Sequence, residues 1–221
     1  MLRYALAVFD FDGTLVDSEA CIRASLAAAF ERHGLTAGAM RKEWIGLPLH
    51  TIIRSACDDV DERRIESIIE AYRAHYAEID PRVTFAFPGM VETLHELART
   101  GVRLAVATNK HSRPARGTLE RLGIAGLFDP IIGAEQVTNP KPHPDLLLRV
   151  LADTGVSPAC ALMIGDADVD LHMAAAAGVA SCAVTWGNHS LAQLRAAGPA
   201  HIAQTPCELR ALLSAAFLPG T

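Results

Sequence analysis

Two aspartates, Asp10 and Asp12, stand directly after the short apolar run Leu6–Phe9. A run of this kind is typical of a parallel strand buried on both faces, and α/β proteins bind ligands at the carboxyl ends of such strands. Side chains two residues apart on a strand point the same way, so we expect adjacent carboxylates, with Gly13 permitting the turn that follows. Two like charges a few Å apart repel by roughly 4 kcal/mol at an effective dielectric near 20, so a cation or a proton must offset them.

Such a carboxylate pair is suited to phosphoryl transfer. A Mg²⁺ ion relieves the repulsion and recruits phosphate. One aspartate can attack a phosphoryl group and carry it as an aspartyl phosphate. The second acid can protonate the leaving oxygen and then activate water. A structural interpretation also stays open, because a strand-end acid followed by an acid in an Asx-type turn has the same spacing.

The composition of the chain excludes several functional classes. Its 221 residues suffice for one large domain or for a core with a modest insert. Half of the residues are hydrophobic, yet no apolar run approaches the roughly 20 residues that a membrane span needs. The net charge is -5 and no block of Lys and Arg stands out, which argues against a nucleic-acid partner.

Cysteine and histidine spacing indicates no zinc or redox motif. The five cysteines are scattered and never spaced Cys-x-x-Cys, and none of the nine histidines belongs to a metal-binding pattern. We therefore expect structural thiols in a reducing compartment. Neither a basic lead nor a long apolar stretch typical of a signal peptide precedes Asp10, so we expect a cytoplasmic protein.

The pattern after the first strand is helical up to about residue 82. Ser18 is predicted to cap the first helix, and the segments Leu49–Ala56 and Asp61–Ile79 repeat apolar residues at spacings of three and four. A crossover between parallel strands needs only one helix. Residues 16–82 are therefore predicted to form a small helical bundle inserted after the first strand, with a second linker beginning at Pro81.

Strands and helices alternate in the remainder of the chain, which is typical of a parallel sheet covered by helices. The predicted strands are Val102–Ala107, Ile131–Ile132, Ala161–Ile164 and Ala180–Thr185. We expect a terminal helix around Leu209–Phe217 to complete this unit.

Polar side chains follow several of these strands. Thr108 and Asn109 follow Val102–Ala107 and could bind phosphate together with N–H groups of the next helix, although such residues also cap helices. Three prolines stiffen the loop around Lys141, whose ammonium could neutralise aspartate and phosphate oxygens, or could simply be exposed. Asp166 and Asp170 follow Ala161–Ile164.

Three further features have weaker interpretations. Lys110 could add charge to the site or be solvated. Asp168 is expected to cap the helix that starts near it. The loop Gly187–His189 is expected at the rim of the sheet, with no function indicated.

The string Asp-x-Asp-Gly-Thr-Leu at residues 10–15 resembles the first motif of the haloacid dehalogenase-like superfamily, in the version of its phosphatases and phosphomutases. Thr108 fits the second motif, and Lys141, in Lys-Pro-His-Pro, fits the third as found in the phosphoglycolate phosphatase-like branch. Asp166 and Asp170 match the fourth motif, Gly-Asp-x-x-x-Asp. The four motifs occur in the family's order and cover essentially the whole chain.

The resemblance implies an α/β fold. Its core would be a Rossmann-like doubly wound parallel sheet formed by residues 1–15 and 83–221. Residues 16–82 would form an inserted all-helical cap domain, which short linkers could let close over the site.

The resemblance also implies the roles of the site residues. Asp10 would attack phosphorus and Asp12 would act as the acid and base. Mg²⁺ would be bound by Asp10, a backbone carbonyl of Asp12 and Asp166, with Asp170 standing behind these ligands. The phosphate-binding residues would be Thr108, Asn109 and Lys141.

The cap would determine the substrate, a small phosphorylated metabolite. His50 and Arg54 lie beside the cap loop Gly46–Pro48 and could bind its non-phosphate end. The resemblance favours 2-phosphoglycolate, with a phosphomutase or a pyrophosphatase as alternatives, whereas Asp12 argues against a haloacid dehalogenase. A non-catalytic phospho-acceptor module is disfavoured by Asp12 and the cap. We expect a monomer or a homodimer.

Overall fold

The protein is described by a computed structural model, which covers residues 4–36, 40–57 and 60–217. The strands are β1 (Leu6–Phe9), β2 (Val16–Asp17), β3 (Phe85–Ala86), β4 (Arg103–Thr108), β5 (Phe128–Gly133), β6 (Ala161–Gly165), β7 (Ala180–Val184) and β8 (His201–Ala203). The helices are α1 (Glu19–Arg32), α2 (Leu49–Ala56), α3 (Glu62–Val83), α4 (Met90–Arg99), α5 (Ser112–Arg121), α6 (Asp145–Thr154), α7 (Asp168–Ala176), α8 (Leu191–Ala196) and α9 (Pro206–Phe217).

Six of the strands form one parallel sheet in the order β5-β4-β1-β6-β7-β8. Helices cover both faces, which explains why β1 is apolar throughout. Ala7 and Phe9 pack in the hydrophobic cluster on one face, and Leu6 and Val8 pack in the cluster on the other. The predicted doubly wound α/β fold is confirmed.

The chain first adds strands on one side of β1 and then returns to add strands on its other side. The strand order therefore reverses between β1 and β6, and ligands of open α/β sheets bind at such a point, beyond the carboxyl ends of the strands. Phe9 lies opposite Val106 of β4 and Ile164 of β6, so the residues that follow these strands emerge side by side.

The sequence prediction of the sheet was incomplete at its far edge. We expected the strand after α7 to be the last, whereas β8 pairs in parallel with β7 and α8 lies between them. Three residues are too few to show an alternating pattern, and β8 exists because β7 offers it a partner.

Helices α1 to α3 follow β1 and have an apolar cluster of their own. Its largest fully buried members are Leu26, Ile45, Ile53, Ile65 and Ile68. The two ends of this helical segment meet in a short antiparallel pair, in which Val16 lies opposite Ala86 and Asp17 opposite Phe85.

Helix α3 continues through Pro81, where the sequence predicted a linker to begin. A proline in the last turn removes only one helical donor, and the N–H of Thr84 still donates to the carbonyl of Asp80 at 3.0 Å. The connection to the sheet therefore starts after Val83. None of the helices described here combines the length and the apolar character that crossing a membrane requires.

Candidate active site

Asp10, the first residue after β1, lies at the centre of the site. Its side chain is buried, and its backbone N–H donates to the carbonyl of Ile164 on β6 at 2.8 Å. One carboxylate oxygen accepts a hydrogen bond from Lys141 Nζ at 2.5 Å. Burial raises the pKa of Asp10 well above its usual range. The Lys141 ammonium opposes this rise, and the carboxylates of Asp170 and Asp166 add to it.

Asp10, Asp166 and Asp170 form a buried carboxylate cluster, in which one oxygen from each residue lies within 4.8 Å of the other two. Burial, followed by the neighbouring charge of Asp170, raises the pKa of Asp166 to about 6. Lys141 contributes one positive charge against three negative ones. Clustered carboxylates that repel each other are the ligands that Mg²⁺ and other hard cations prefer. The residues present therefore fit a divalent cation.

Hydrogen bonds hold both the ammonium group and the backbone N–H of Lys141. Its ammonium donates to Asp10 and, at 2.7 Å, to Asp170, and its side chain is buried. Its backbone N–H donates to the side-chain oxygen of Asn109 at 2.9 Å. Burial lowers the pKa of Lys141, but the two carboxylates outweigh it and raise that pKa above its usual value. Lys141 is therefore a fixed cation between two acids.

Asp166 is bound by Thr14 of the first motif and by Asn188, which lies outside the motifs. Its two oxygens accept hydrogen bonds from Thr14 Oγ1 at 2.9 Å, and from the backbone N and Nδ2 of Asn188 at 2.7 and 2.9 Å. The loop containing Asn188 was expected at the rim without a function. Its position after the strand that follows the fourth motif was the only signal that could have indicated this contact.

Two glycines make room for Asp166. Gly13 has φ +92°, and a Cβ atom there would lie 2.2 Å from Asn188 Nδ2 and 2.3 Å from Asp166 Oδ2. A Cβ atom at Gly187 would lie 2.2 Å from the same oxygen. Both positions therefore need glycine for the close approach of the backbone to this acid.

Asp12 is bound by Ser18 and Lys110. Oδ1 accepts a hydrogen bond from Ser18 Oγ at 2.6 Å, and Lys110 Nζ lies 3.2 Å from both carboxylate oxygens. The prediction that the Ser18 side chain caps α1 is wrong, because its hydroxyl binds Asp12 and makes no cap hydrogen bond. The backbone N–H of Lys110 donates to Thr108 Oγ1, which is buried. The structure thus brings Thr108 and Lys110 to the side of the site where Asp12 lies.

The start of α7 is capped by Asp170, not by Asp168 as predicted. Asp170 Oδ2 accepts from the backbone N–H of Ala167 at 3.1 Å, while the Asp168 side chain is about half exposed and lies 3.8 Å from His189 Nδ1. Asp170 makes this hydrogen bond because the first turn of α7 points its side chain back toward the sheet. It therefore serves both the helix end and Lys141.

The helical segment reaches the site through backbone carbonyls. Asn109 Nδ2 donates to the carbonyl of Gly46 at 2.8 Å, and His189 Nε2 lies 3.2 Å from the carbonyl of Glu43. His50 and Arg54 are not brought into the carboxylate cluster in this structure, since both pair with Glu62 on the surface. Their predicted contact with substrate stays a prediction.

Comparisons with known proteins agree on one family. The model of the family described as "Haloacid dehalogenase-like hydrolase" matches residues 7–184. The chain is 37% identical over 209 residues to "Probable phosphatase IndB" of Dickeya dadantii, covering 92% of this chain and 91% of that protein. It is 33% identical over 202 residues to "Phosphoglycolate phosphatase" of Escherichia coli, covering 81% and 80%. A solved haloacid dehalogenase-like family hydrolase from Streptococcus pneumoniae superposes with a TM-score of 0.84 at 28% identity, covering 96% and 99%.

Proposed function

Since this chain belongs to the haloacid dehalogenase-like hydrolase family, we propose that it is a Mg²⁺-dependent phosphatase acting on a small phosphomonoester, with 2-phosphoglycolate as its first candidate. The phosphatase class follows from the relatives. One observation carries the proposal for this chain: a buried aspartate bound by a lysine lies in a cluster that fits a divalent cation, and a second acid two residues on binds Ser18 and Lys110.

Asp10 is the proposed nucleophile. One of its oxygens attacks phosphorus, the ester P–O bond breaks, and Asp12 gives a proton to the leaving oxygen. Asp12 then takes a proton from water, whose oxygen attacks the aspartyl phosphate, so that phosphate leaves and Asp10 is restored. Ser18 and Lys110 hold Asp12 in one orientation for both steps.

The metal would be held by the Asp10 and Asp166 carboxylates and a backbone carbonyl of Asp12, and when bound it would draw charge from the phosphoryl oxygens. Asp170 stands behind these ligands, where it fixes Lys141 and the start of α7. Lys141 neutralises Asp10 and is placed to attract phosphoryl oxygens as well.

Thr108 is proposed to bind phosphate through its hydroxyl, whose oxygen already accepts from the Lys110 backbone. The phosphate contact predicted for Asn109 stays a prediction. In the structure the side-chain oxygen of Asn109 accepts from the backbone N–H of Lys141, and its amide nitrogen donates to the Gly46 carbonyl. Asn109 therefore joins the loop that contains Lys141 to the helical segment.

We propose that residues 16–82 act as a cap. Three observations support this: the segment has a separate apolar cluster, its two ends pair in β2 and β3, and its Gly46 carbonyl binds Asn109, which binds the backbone of the buried Lys141. Opening of the segment would admit a substrate to the site, and closure would then exclude water from the transfer. The oligomeric state and the cytoplasmic location stay predictions.

The test is phosphate release from a panel of phosphomonoesters and pyrophosphate, with Mg²⁺ and with a chelator. We expect strong metal-dependent release from 2-phosphoglycolate and loss of turnover in Asp10→Asn, because an amide is a far weaker nucleophile. Asp168→Asn, which changes a half-exposed acid nearby, is the matched control and should keep its rate.

The other outcomes separate the alternatives. Steady-state phosphate release by Asp10→Asn would remove Asp10 as the nucleophile. Preference for pyrophosphate would favour the pyrophosphatase. Isomerisation of a sugar phosphate with little release would favour the phosphomutase.

A further inference from the structure

The ammonium group of Lys110 is largely removed from solvent and lies between the sheet domain and the helical segment. Its side chain is 9% exposed, and Nζ lies 3.2 Å from both oxygens of Asp12 and 3.9 Å from the centre of the Tyr76 ring. Lys110 belongs to the sheet domain, whereas Tyr76 lies on α3 of the helical segment. An ammonium that is largely removed from water needs partners that replace its hydration, and Asp12 and the Tyr76 ring supply them here.

We propose that Lys110 and Tyr76 form the subsite for a carboxylate on the leaving group of the substrate. This inference rests on the proposed function and extends it from a phosphomonoester to one that carries an acid group next to the ester. Lys110 is proposed as a specificity-determining residue that contacts substrate.

The position of Asp12 carries the first step of the argument. Asp12 is the proposed donor of a proton to the ester oxygen, so a group in contact with Asp12 must lie beside the first atoms of the leaving group. In 2-phosphoglycolate a single CH₂ group separates that oxygen from the carboxylate. The carboxylate would therefore arrive beside the Lys110 ammonium.

The arrangement of Lys110 and Lys141 carries the second step. Lys141 is held by Asp10 and Asp170, the acids on the phosphoryl side. Lys110 is held by Asp12 and the Tyr76 ring instead. The site thus has one cation on the phosphoryl side and a second cation on the side of the leaving group. Charge complementarity favours a negative leaving group at the second cation, in addition to its contact with Asp12.

Tyr76 adds a donor. Its side chain is 5% exposed, and among the residues described its hydroxyl has no hydrogen-bond partner. Leaving a buried hydroxyl unpaired is costly, whereas an incoming carboxylate would accept a hydrogen bond from this hydroxyl. Its ring is fixed against Tyr72, with centroids 5.7 Å apart. One carboxylate oxygen can then bind Lys110 while the other binds Tyr76.

The experiment compares 2-phosphoglycolate with ethyl phosphate, which has a methyl group where the first has a carboxylate. The readout is the ratio of the two kcat/KM values, because any effect of Lys110 acting through Asp12 reduces both values and cancels. We expect wild type to prefer 2-phosphoglycolate, and Lys110→Met to reduce the ratio about tenfold or more, as expected for loss of a charge-assisted hydrogen bond.

Three variants complete the set. Lys110→Arg keeps the charge and should keep most of the ratio. Tyr76→Phe keeps the ring and removes the hydroxyl, and should reduce the ratio about fivefold. Lys42→Met removes a half-exposed lysine that pairs with Glu19 on the helical segment, and should leave the ratio unchanged.

Calorimetry gives a readout that needs no turnover. With Mg²⁺ present, 3-phosphonopropionate should bind wild type about tenfold more tightly than n-propylphosphonate, and Lys110→Met should bind both alike. If Lys110→Met is misfolded by circular dichroism, Lys110→Arg and Tyr76→Phe still decide the question.

The outcomes separate the two proposals. Equal losses on both substrates, with no carboxylate preference in binding, would overturn this inference and make Lys110 a positioning residue for Asp12. Wild-type hydrolysis of ethyl phosphate as efficient as that of 2-phosphoglycolate would overturn it while the phosphatase assignment stands. If wild type hydrolyses neither, the choice of substrate class is wrong, and the calorimetry alone tests the subsite.

Discussion

Asn188 is predicted to strengthen metal binding, although it is not among the residues proposed to hold the metal. Its backbone and side-chain nitrogens donate to the same oxygen of Asp166, at 2.7 and 2.9 Å, and Thr14 donates to the other oxygen. The substitution Asn188→Ala removes one of these three hydrogen bonds and leaves the backbone contact in place. Asp166 would then be less firmly oriented toward a bound ion.

The size of the effect follows from the bond that is lost. A hydrogen bond to a charged group is worth about 1.5–3 kcal/mol, and the low end applies because two donors remain. At about 1.4 kcal/mol per factor of ten, we expect Mg²⁺ affinity to fall about tenfold in Asn188→Ala.

The direction of the pH dependence is also determined. Burial and the charge of Asp170 raise the pKa of Asp166 to about 6, although the hydrogen bonds from Asn188 and Thr14 lower it. Without the Asn188 side chain the pKa rises further, so more of Asp166 is protonated near pH 6 and cannot bind a cation. The defect should therefore be larger at pH 6 than at pH 8.

The assay is the Mg²⁺ concentration that gives half-maximal phosphate release, measured at both pH values. Ser190→Ala is the matched control, because Ser190 caps α8 in the same loop without touching Asp166. That variant should lose about 1 kcal/mol of stability with unchanged Mg²⁺ dependence. A folded Asn188→Ala with wild-type half-saturation at pH 6, in an assay where Asp166→Asn raises it, would refute the reasoning.

Two further predictions concern the same acid. Gly13→Ala should abolish most Mg²⁺-dependent activity, because its Cβ would collide with Asp166 and Asn188. In the same activity assay Gly34→Ala, also at positive φ but with no described atom within 4 Å, should keep its rate. Normal activity of Gly13→Ala would contradict the predicted collision. In the metal-free protein, burial raises the pKa of Asp166 from an ordinary 3.8 to about 6, so the unfolded chain releases this proton first and stability should fall by up to about 3 kcal/mol as pH rises through this window. Thermal melts should accordingly show a larger stabilisation by Mg²⁺ at pH 7.5 than at pH 5, and an equal or smaller shift at pH 7.5 would count against it.

The positions of the strand-end acids could be predicted from the sequence because they depend on local patterns. An apolar run that ends in Asp10 is a parallel strand with an acid at its carboxyl end, and Asp166 follows a run of the same kind. The predicted α/β sheet was confirmed for the same reason. The helical character of α1 to α3 was also readable, since apolar spacing of three and four is a property of each helix alone.

The partners of Asp166 could not be predicted from local patterns, because residues distant in sequence determine them. Asp166 is oriented by Thr14, 152 residues away, and by Asn188, 22 residues away. The spacing of apolar residues along the sequence gives no information about such distant pairs. The β8 strand was missed similarly, since three residues acquire strand structure only from their neighbour.

Competition between local and distant partners was decided by the tertiary structure alone. Ser18 has the sequence position of a helix cap, yet its hydroxyl binds Asp12, and Asp170 rather than Asp168 caps α7. Lys110 had two equal interpretations until the fold placed Asp12 and Tyr76 around it. The sequence by itself determined which chemistry the chain carries and in what order its elements follow. Only the tertiary structure, within the sheet domain and between it and the helical segment, decided which polar groups meet, because a buried polar group binds whichever partner the fold brings within reach.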